Sequence, residues 1–150
     1  MGGPATVLGK AVPATDNFLV RKFVLNGKEW MSCEQYFQAM KFASEEYREK
    51  IRGCDADPGT HGMAVWRMGQ NRNYDLRADW ELVKVDVMYE ANAAKFAQHA
   101  DLRAELLATD GPIRAAPSTD NWQKWNSEIL ERIRHDLREK QHAESPDPAV

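Results

Sequence analysis

A mainly α fold carrying a small N-terminal β-hairpin is what the sequence predicts, and three observations carry that expectation. Trp80, Val83, Val87, Ala91 and Ala94 recur at helical spacing between Asp79 and Gln98, with charged residues elsewhere, so one long helix presents a single buried stripe. Ser32 and Gln35 stand at capping-box spacing ahead of Tyr36, Phe37 and Met40. Asn26-Gly27 separates Phe23-Val24-Leu25 from Lys28-Glu29-Trp30, and Asn-Gly readily takes the two positive φ angles of a tight hairpin turn.

Taken in order, residues 1–15 are rich in Gly, Pro, Ala and Thr without periodicity and read as a flexible N-terminal segment. The folded domain is expected over 16–140, beginning with the hairpin. A helix from Ser32 runs to about Ala43, with Met31 placed to staple onto Tyr36. A second, Glu45 to Arg52, has Ser44 as its cap and Gly53 as its stop. A third covers Met63 to Met68 before Gly69. After the long helix, Asp101 is placed to cap a further one through Leu102, Leu106 and Leu107 to Thr109. Ile129, Leu130, Ile133 and Leu137 mark one side of the last. Pro146 and Pro148 among polar residues make 141–150 a flexible tail.

Composition supports one compact domain. The chain has 150 residues, 20 Lys+Arg against 23 Asp+Glu, five Trp, five Phe and four Tyr. At that length folding buries roughly 68–70% of the unfolded surface, enough to dispense with disulfides. With 43% hydrophobic and 29% charged residues, wholesale disorder is excluded, and no apolar run is long enough to span a membrane. A net charge of −3 argues against a generic nucleic-acid coat and leaves room for a local basic patch. Cys33 and Cys54 lie outside any CxxC pair and are expected reduced, in the cytoplasm or, as the alternative, the nucleus.

The polar residues of the Ser32 helix are where chemistry is sought. Glu34, Gln38 and Lys41, at i, i+4 and i+7, share one stripe, while Tyr36, Phe37 and Met40 point the other way. That stripe faces either solvent, as decoration that complements the helix dipole, or a cleft. Cys33, near the helix N-terminus, raises the separate reading of a thiol enzyme, against which stands the absence of a neighbouring histidine in sequence. His61, His99, His135 and His142 are scattered without the spacing that metal sites on helices use, so neither metal nor cofactor is expected.

The string from Trp30 to Phe42, W-M-S-C-E-Q-Y-F-Q-A-M-K-F, resembles the W-x-(S/T)-x-E-H-Y-F-Q-A-x-K-F motif of the NADAR, or YbiA-like, family. The resemblance continues through Asp16-Asn17-Phe18, Asn26-Gly27-Lys28-x-Trp30, Met68-Gly69-Gln70-Asn71-Arg72, Leu76-Arg77-x-x-Trp80, Val87-Met88, Lys95-Phe96 and Leu102 to Thr109, most of residues 16–137. It implies a helical YbiA-like fold and N-glycosidase activity, the hydrolysis of a ribose C1′–N bond. Two substrate classes are implied: ADP-ribose attached to guanine in DNA or RNA, and phosphorylated ribosylamino intermediates of riboflavin synthesis. Gln35 stands where the family usually has His, Gln70 where it has Arg, and Gln123-Lys124-Trp125-Asn126 replaces a glycine-rich loop after Trp122. A lost arginine and a shorter rim loosen the grip on a phosphomonoester and open the cleft, which favours ADP-ribosylated guanine.

The chemistry asks for groups that steady a cationic C1′ and protonate the leaving base. Carboxylates suit both, and Glu34 and Asp120, the latter in a loop resembling the family's N-D-x-x-W segment, are the candidates. Lys41 is either the amine that forms an imine with the opened ribose or an electrostatic anchor. Asn17 and Gln38 offer amides to sugar hydroxyls or a base edge, and Arg72 forks onto phosphate. Trp80 and Trp122 offer faces to a flat heterocycle, with Phe18 a further substrate-binding candidate, although Trp80 heads the buried stripe and Phe18 also reads as core. The expected partners are therefore an ADP-ribose moiety, a modified nucleic acid or a small phosphorylated ribosyl compound, and no membrane. A non-catalytic ADP-ribose-binding module is the competing reading.

Overall fold

The computed structural model describes residues 2–144. Strands β1 (Ala5–Val7) and β2 (Lys10–Val12) form an antiparallel pair with Ala5 opposite Val12, and β5 (Ile113–Arg114) adds to the other edge of β1. A second pair, β3 (Phe23–Leu25) and β4 (Lys28–Trp30), is closed by Asn26 at φ 54 and Gly27 at φ 76, the turn the sequence predicts. Six helices follow the second pair: α1 (Cys33–Met40), α2 (Glu45–Arg52), α3 (His61–Met68), α4 (Trp80–Gln98), α5 (Ala100–Leu107) and α6 (Trp122–Glu144). The chain is mainly α, as expected.

Helix α1 is the axis of the molecule. Every residue from Cys33 to Ala39 is buried, and α2, α3 and α4 pack around it. Ser32 Oγ accepts from Gln35 N at 3.0 Å, closing the expected cap. The helix stops at Met40 rather than Ala43, because the next residues leave it to meet 75–77: Ala43 N donates to Asp75 O and Arg77 N to Lys41 O. Helix α2 has the expected cap at Ser44 and stop at Gly53. Asp101 does not cap α5; His99 occupies the cap position and the Asp101 carboxylate pairs with Arg21 at 2.9 Å.

Two expectations about the ends need correcting. Residues 5–15, expected within a flexible segment, hold β1, β2 and a 3-10 turn, with Ala5, Val7, Val12, Ala14 and Thr15 buried. Their order comes from long-range pairing with β5 and from Thr15 Oγ1 accepting Ala5 N at 2.7 Å, which local periodicity does not register. At the other end α6 is helical through 141–144; residues 145–150 of the expected tail lie outside the described residues. Among the described residues no helix is long and apolar enough to cross a membrane.

Candidate active site

The polar stripe of α1 does not face solvent. Glu34 and Gln38 are 0% and 1% exposed, and they lead to Lys41, which is half-buried at the wall of a cavity of about 400 Å³. Gln38 Nε2 donates to Glu34 Oε1 at 2.7 Å, and Lys41 Nζ donates to Gln38 Oε1 at 3.2 Å. One amide thus links the buried carboxylate to the amine. Burial raises the Glu34 pKa, against the opposing pull of the Gln38 hydrogen bond and Lys41. Burial also lowers that of Lys41 to about 8, helped by the Arg72 and Lys84 cations and opposed by Glu34.

Six expected side chains line this cavity: Gln38, Lys41, Arg72, Trp80, Asp120 and Trp122. Asp120 comes from the turn before α6, at φ 52, and is exposed at the mouth. Its neighbour Trp122 is not in a loop. It opens α6 and is 5% exposed, packing edge-on against Phe37 at 5.0 Å and Trp125 at 5.0 Å. Trp80, also 5% exposed, packs against the same Phe37 at 4.9 Å. Both indoles are walls of the cavity held by the core.

Arg72 Nη1 donates to Gly69 O at 2.8 Å, and Lys41 Nζ reaches the same carbonyl at 3.1 Å. A Cβ at Gly69 would stand 1.8 Å from Gln38 Oε1, so a side chain there displaces the Gln38 amide. Trp66, Glu81 and Lys84 also line the cavity and were not singled out by the sequence. Gln70 lies just past the end of α3, four residues after Trp66, a spacing that carries no signal because α3 is short and bordered by turn residues.

Asn17 and Phe18, expected on the substrate, do not line the cavity. Asn17 is buried behind α1, where its carbonyl accepts Glu34 N at 3.0 Å and its Oδ1 accepts from Asn92 at 3.0 Å. Phe18 packs over Gly62, where any Cβ would come within 2.3 Å of its ring. Gln35 is fully buried and donates to the carbonyls of Ile51 and Arg52, both at 3.1 Å, so this position ties α2 to α1. His61 Nδ1 meets Asp55 O at 2.8 Å, which makes Nδ1 the donor and leaves Nε2 to accept from Ser32 Oγ at 2.7 Å. Cys33 is 0% exposed, and burial pushes its thiol up. Among the described residues no three His, Cys, Asp or Glu side chains converge as metal ligands. A hollow of similar volume between Arg103 and Lys140 has no aromatic wall.

The NADAR domain family profile matches residues 11–123. The chain is 46% identical over 109 residues to N-glycosidase YbiA of Shigella boydii, covering 73% of this chain and 64% of that protein. It is 33% identical over 94 residues to the riboflavin biosynthesis protein VVA0006 of Vibrio vulnificus, 62% of this chain and 24% of that one. The NMR structure of Escherichia coli YbiA superposes with a TM-score of 0.71 at 37% identity, over 92% of this chain and 83% of that one. The chain spans 64% of the length of the Shigella relative.

Proposed function

Because the chain belongs to the NADAR family, we propose that it is an N-glycosidase that hydrolyses the bond between a ribose C1′ and a nitrogen. The observation that carries this reading is the convergence of Lys41 and Asp120 on one aromatic-walled cavity, with Glu34 joined to Lys41 through Gln38. At a pKa of about 8, roughly a tenth of Lys41 is neutral amine at pH 7, against about 1 in 3,000 at its ordinary 10.5. A neutral amine is a nucleophile.

The C1′–N bond breaks with its electron pair going to the leaving base, which takes a proton. Lys41 Nζ bonds C1′ as the base departs and releases one proton; the C1′–O4′ bond then breaks, the second Nζ proton passes to O4′, and the imine forms on the opened sugar. Water then adds at C1′, the C–N bond to Lys41 breaks, and the aldehyde closes to the free ribosyl product. Asp120, exposed at the mouth, is suited to the ribose hydroxyls or to proton transfer at the leaving base. Glu34 acts from behind Gln38, holding the charge balance of Lys41 as its proton comes and goes. Arg72 and Lys84 supply positive charge for phosphate oxygens.

The preferred substrate is ADP-ribosylated guanine in DNA or RNA. Thr119, Asp120 and Asn121 are all exposed and Gln70 is exposed beside them, which favours a mouth open enough for a nucleotide still attached to its strand. The riboflavin name of the Vibrio relative favours the second reading, a phosphorylated ribosylamino pyrimidine. Incubation with an ADP-ribosylated guanine oligonucleotide and, separately, with the ribosylamino pyrimidine phosphate tests both. Release of ADP-ribose supports the first, and release of a free pyrimidine base the second. Binding of ADP-ribose with no product from either substrate makes the chain a reader and contradicts catalysis.

A further inference from the structure

The two tryptophans that the sequence offers for stacking have little face to give. Phe37 packs on Trp80 at an interplanar angle of 59° and stands edge-on to Trp122 at 87°, and Trp125 stands edge-on to Trp122 at 86°. Trp80 and Trp122 are each 5% exposed. Trp66 differs on every count. It is half-buried, it lines the same cavity as Lys41, and among the described residues no aromatic ring packs against it. A partly exposed indole lining a cavity beside Lys41, Arg72 and Lys84 leaves a ring face for a flat group to cover.

Trp66 is also held rigidly enough to serve. Helix α3 is tied to the N-terminus of α1 by the hydrogen bond between His61 Nε2 and Ser32 Oγ. Its last turn is tied by Tyr47 Oη donating to Met68 O at 2.7 Å and by Lys41 Nζ donating to Gly69 O. The helix bearing the indole and the residue bearing the amine are therefore one unit. Gln70, a turn beyond on the same wall, donates its Nε2 to Trp66 O at 3.0 Å.

We propose that Trp66 is the stacking platform of this cleft, the surface on which a nucleobase-like heterocycle of the substrate lies while its sugar reaches Lys41. This rests on reading the cleft as a site for ribosyl–nitrogen bonds and adds the residue that selects a planar aromatic group. Two parts of the preferred substrate carry such a group: the base that leaves and the adenine of ADP-ribose. Their shared chemistry is a planar heterocycle attached to ribose.

The test is calorimetric titration of the full chain and its W66A and W66F variants with guanosine monophosphate, ADP-ribose and ribose 5-phosphate. Base–aromatic stacking spans an affinity range of about 5- to 150-fold. W66A is expected to weaken at least one heterocyclic probe by that range and to leave ribose 5-phosphate unchanged, with W66F recovering most of the loss. Loss for guanosine monophosphate seats the leaving base on Trp66, and loss for ADP-ribose alone seats the adenine. Heterocycle affinity equal in wild type and W66A overturns the proposal. So does equal weakening of ribose 5-phosphate, or failure of wild type to bind either heterocyclic probe. Turnover is measured separately, so a chain that binds heterocycles through Trp66 and releases no product overturns the glycosidase reading and leaves the platform standing.

Discussion

Lys41 Nζ and Arg72 Nη1 donate to one and the same acceptor, the carbonyl oxygen of Gly69, at 3.1 and 2.8 Å. Two cations that share an acceptor repel each other, and the more buried of them is the one that gives way. Lys41 is accordingly shifted down to about 8, first by burial and then by Arg72.

If neutral Lys41 attacks C1′, kcat rises with pH and levels off above about 8. Replacing Arg72 by Met removes a neighbouring positive charge, so the lysine holds its proton more tightly and the rise moves to higher pH. A pH–rate series of wild type and R72M reads this directly. Activity that falls above pH 8 makes Lys41 a protonated anchor instead.

The same shift governs stability. Between about 8 and 10.5 the unfolded chain binds the Lys41 proton and the folded chain does not, so stability rises with pH across that window. Below about 8 the cost of holding a partly buried cation is fully present. K41M removes it, and thermal melts should show K41M gaining on wild type at pH 7 with the gain shrinking toward pH 10. A gain that stays constant with pH contradicts the shifted lysine.

Asp120 sits at φ 52, where a Cβ is strained and glycine is not. D120G is expected to match or slightly exceed wild type in thermal stability while turnover drops by about 10²–10⁴-fold, the range for a lost acid–base group. Stability and initial rates measured on one preparation separate the two effects. Full activity in D120G removes the carboxylate from the mechanism.

G69A drives a methyl into Gln38, whose Oε1 would lie 1.8 Å from the new carbon. Overpacking of this kind costs about 1–3 kcal/mol, and here it also displaces the amide that joins Glu34 to Lys41. Chemical denaturation should show that loss, accompanied by loss of turnover. G69A with wild-type rates contradicts a role for the Glu34–Gln38–Lys41 chain.

Cys33 is buried, and its thiol is pushed up by burial against the opposing pull of Lys95, the reverse of what a nucleophilic thiol needs. C33S should retain turnover, and the folded chain should resist thiol-specific labelling at this position. An inactive C33S that still folds reopens the thiol mechanism.

Local chemistry made much of the frame legible before any coordinates. Ser44 and Gly53 bound α2, and Asn26-Gly27 bends β3 into β4, because caps and tight turns are written in neighbouring residues. What the sequence hid depends on distant partners. The β1–β2 turn uses Leu8 and Gly9, at φ 51 and 77, and leucine gives no signal for such a turn. Asn17 reads as a sugar ligand until Asn92, 75 residues away, is found bonded to it. Spacing alone does not decide whether the Glu34, Gln38 and Lys41 stripe faces solvent or a cleft, since the cavity beside Gln38 and Lys41 is walled by α3 and by residues 119–122, far along the chain. Trp66 escaped notice for the same reason: its worth lies in the rings that do not pack against it.

The most direct measurement is single-turnover release of ADP-ribose from an ADP-ribosylated guanine oligonucleotide by wild type, K41A and D120A, with folding of each verified by circular dichroism. The account predicts product from wild type and at least a hundredfold slower release from both folded variants. Equal rates in all three would place the chemistry outside this cavity.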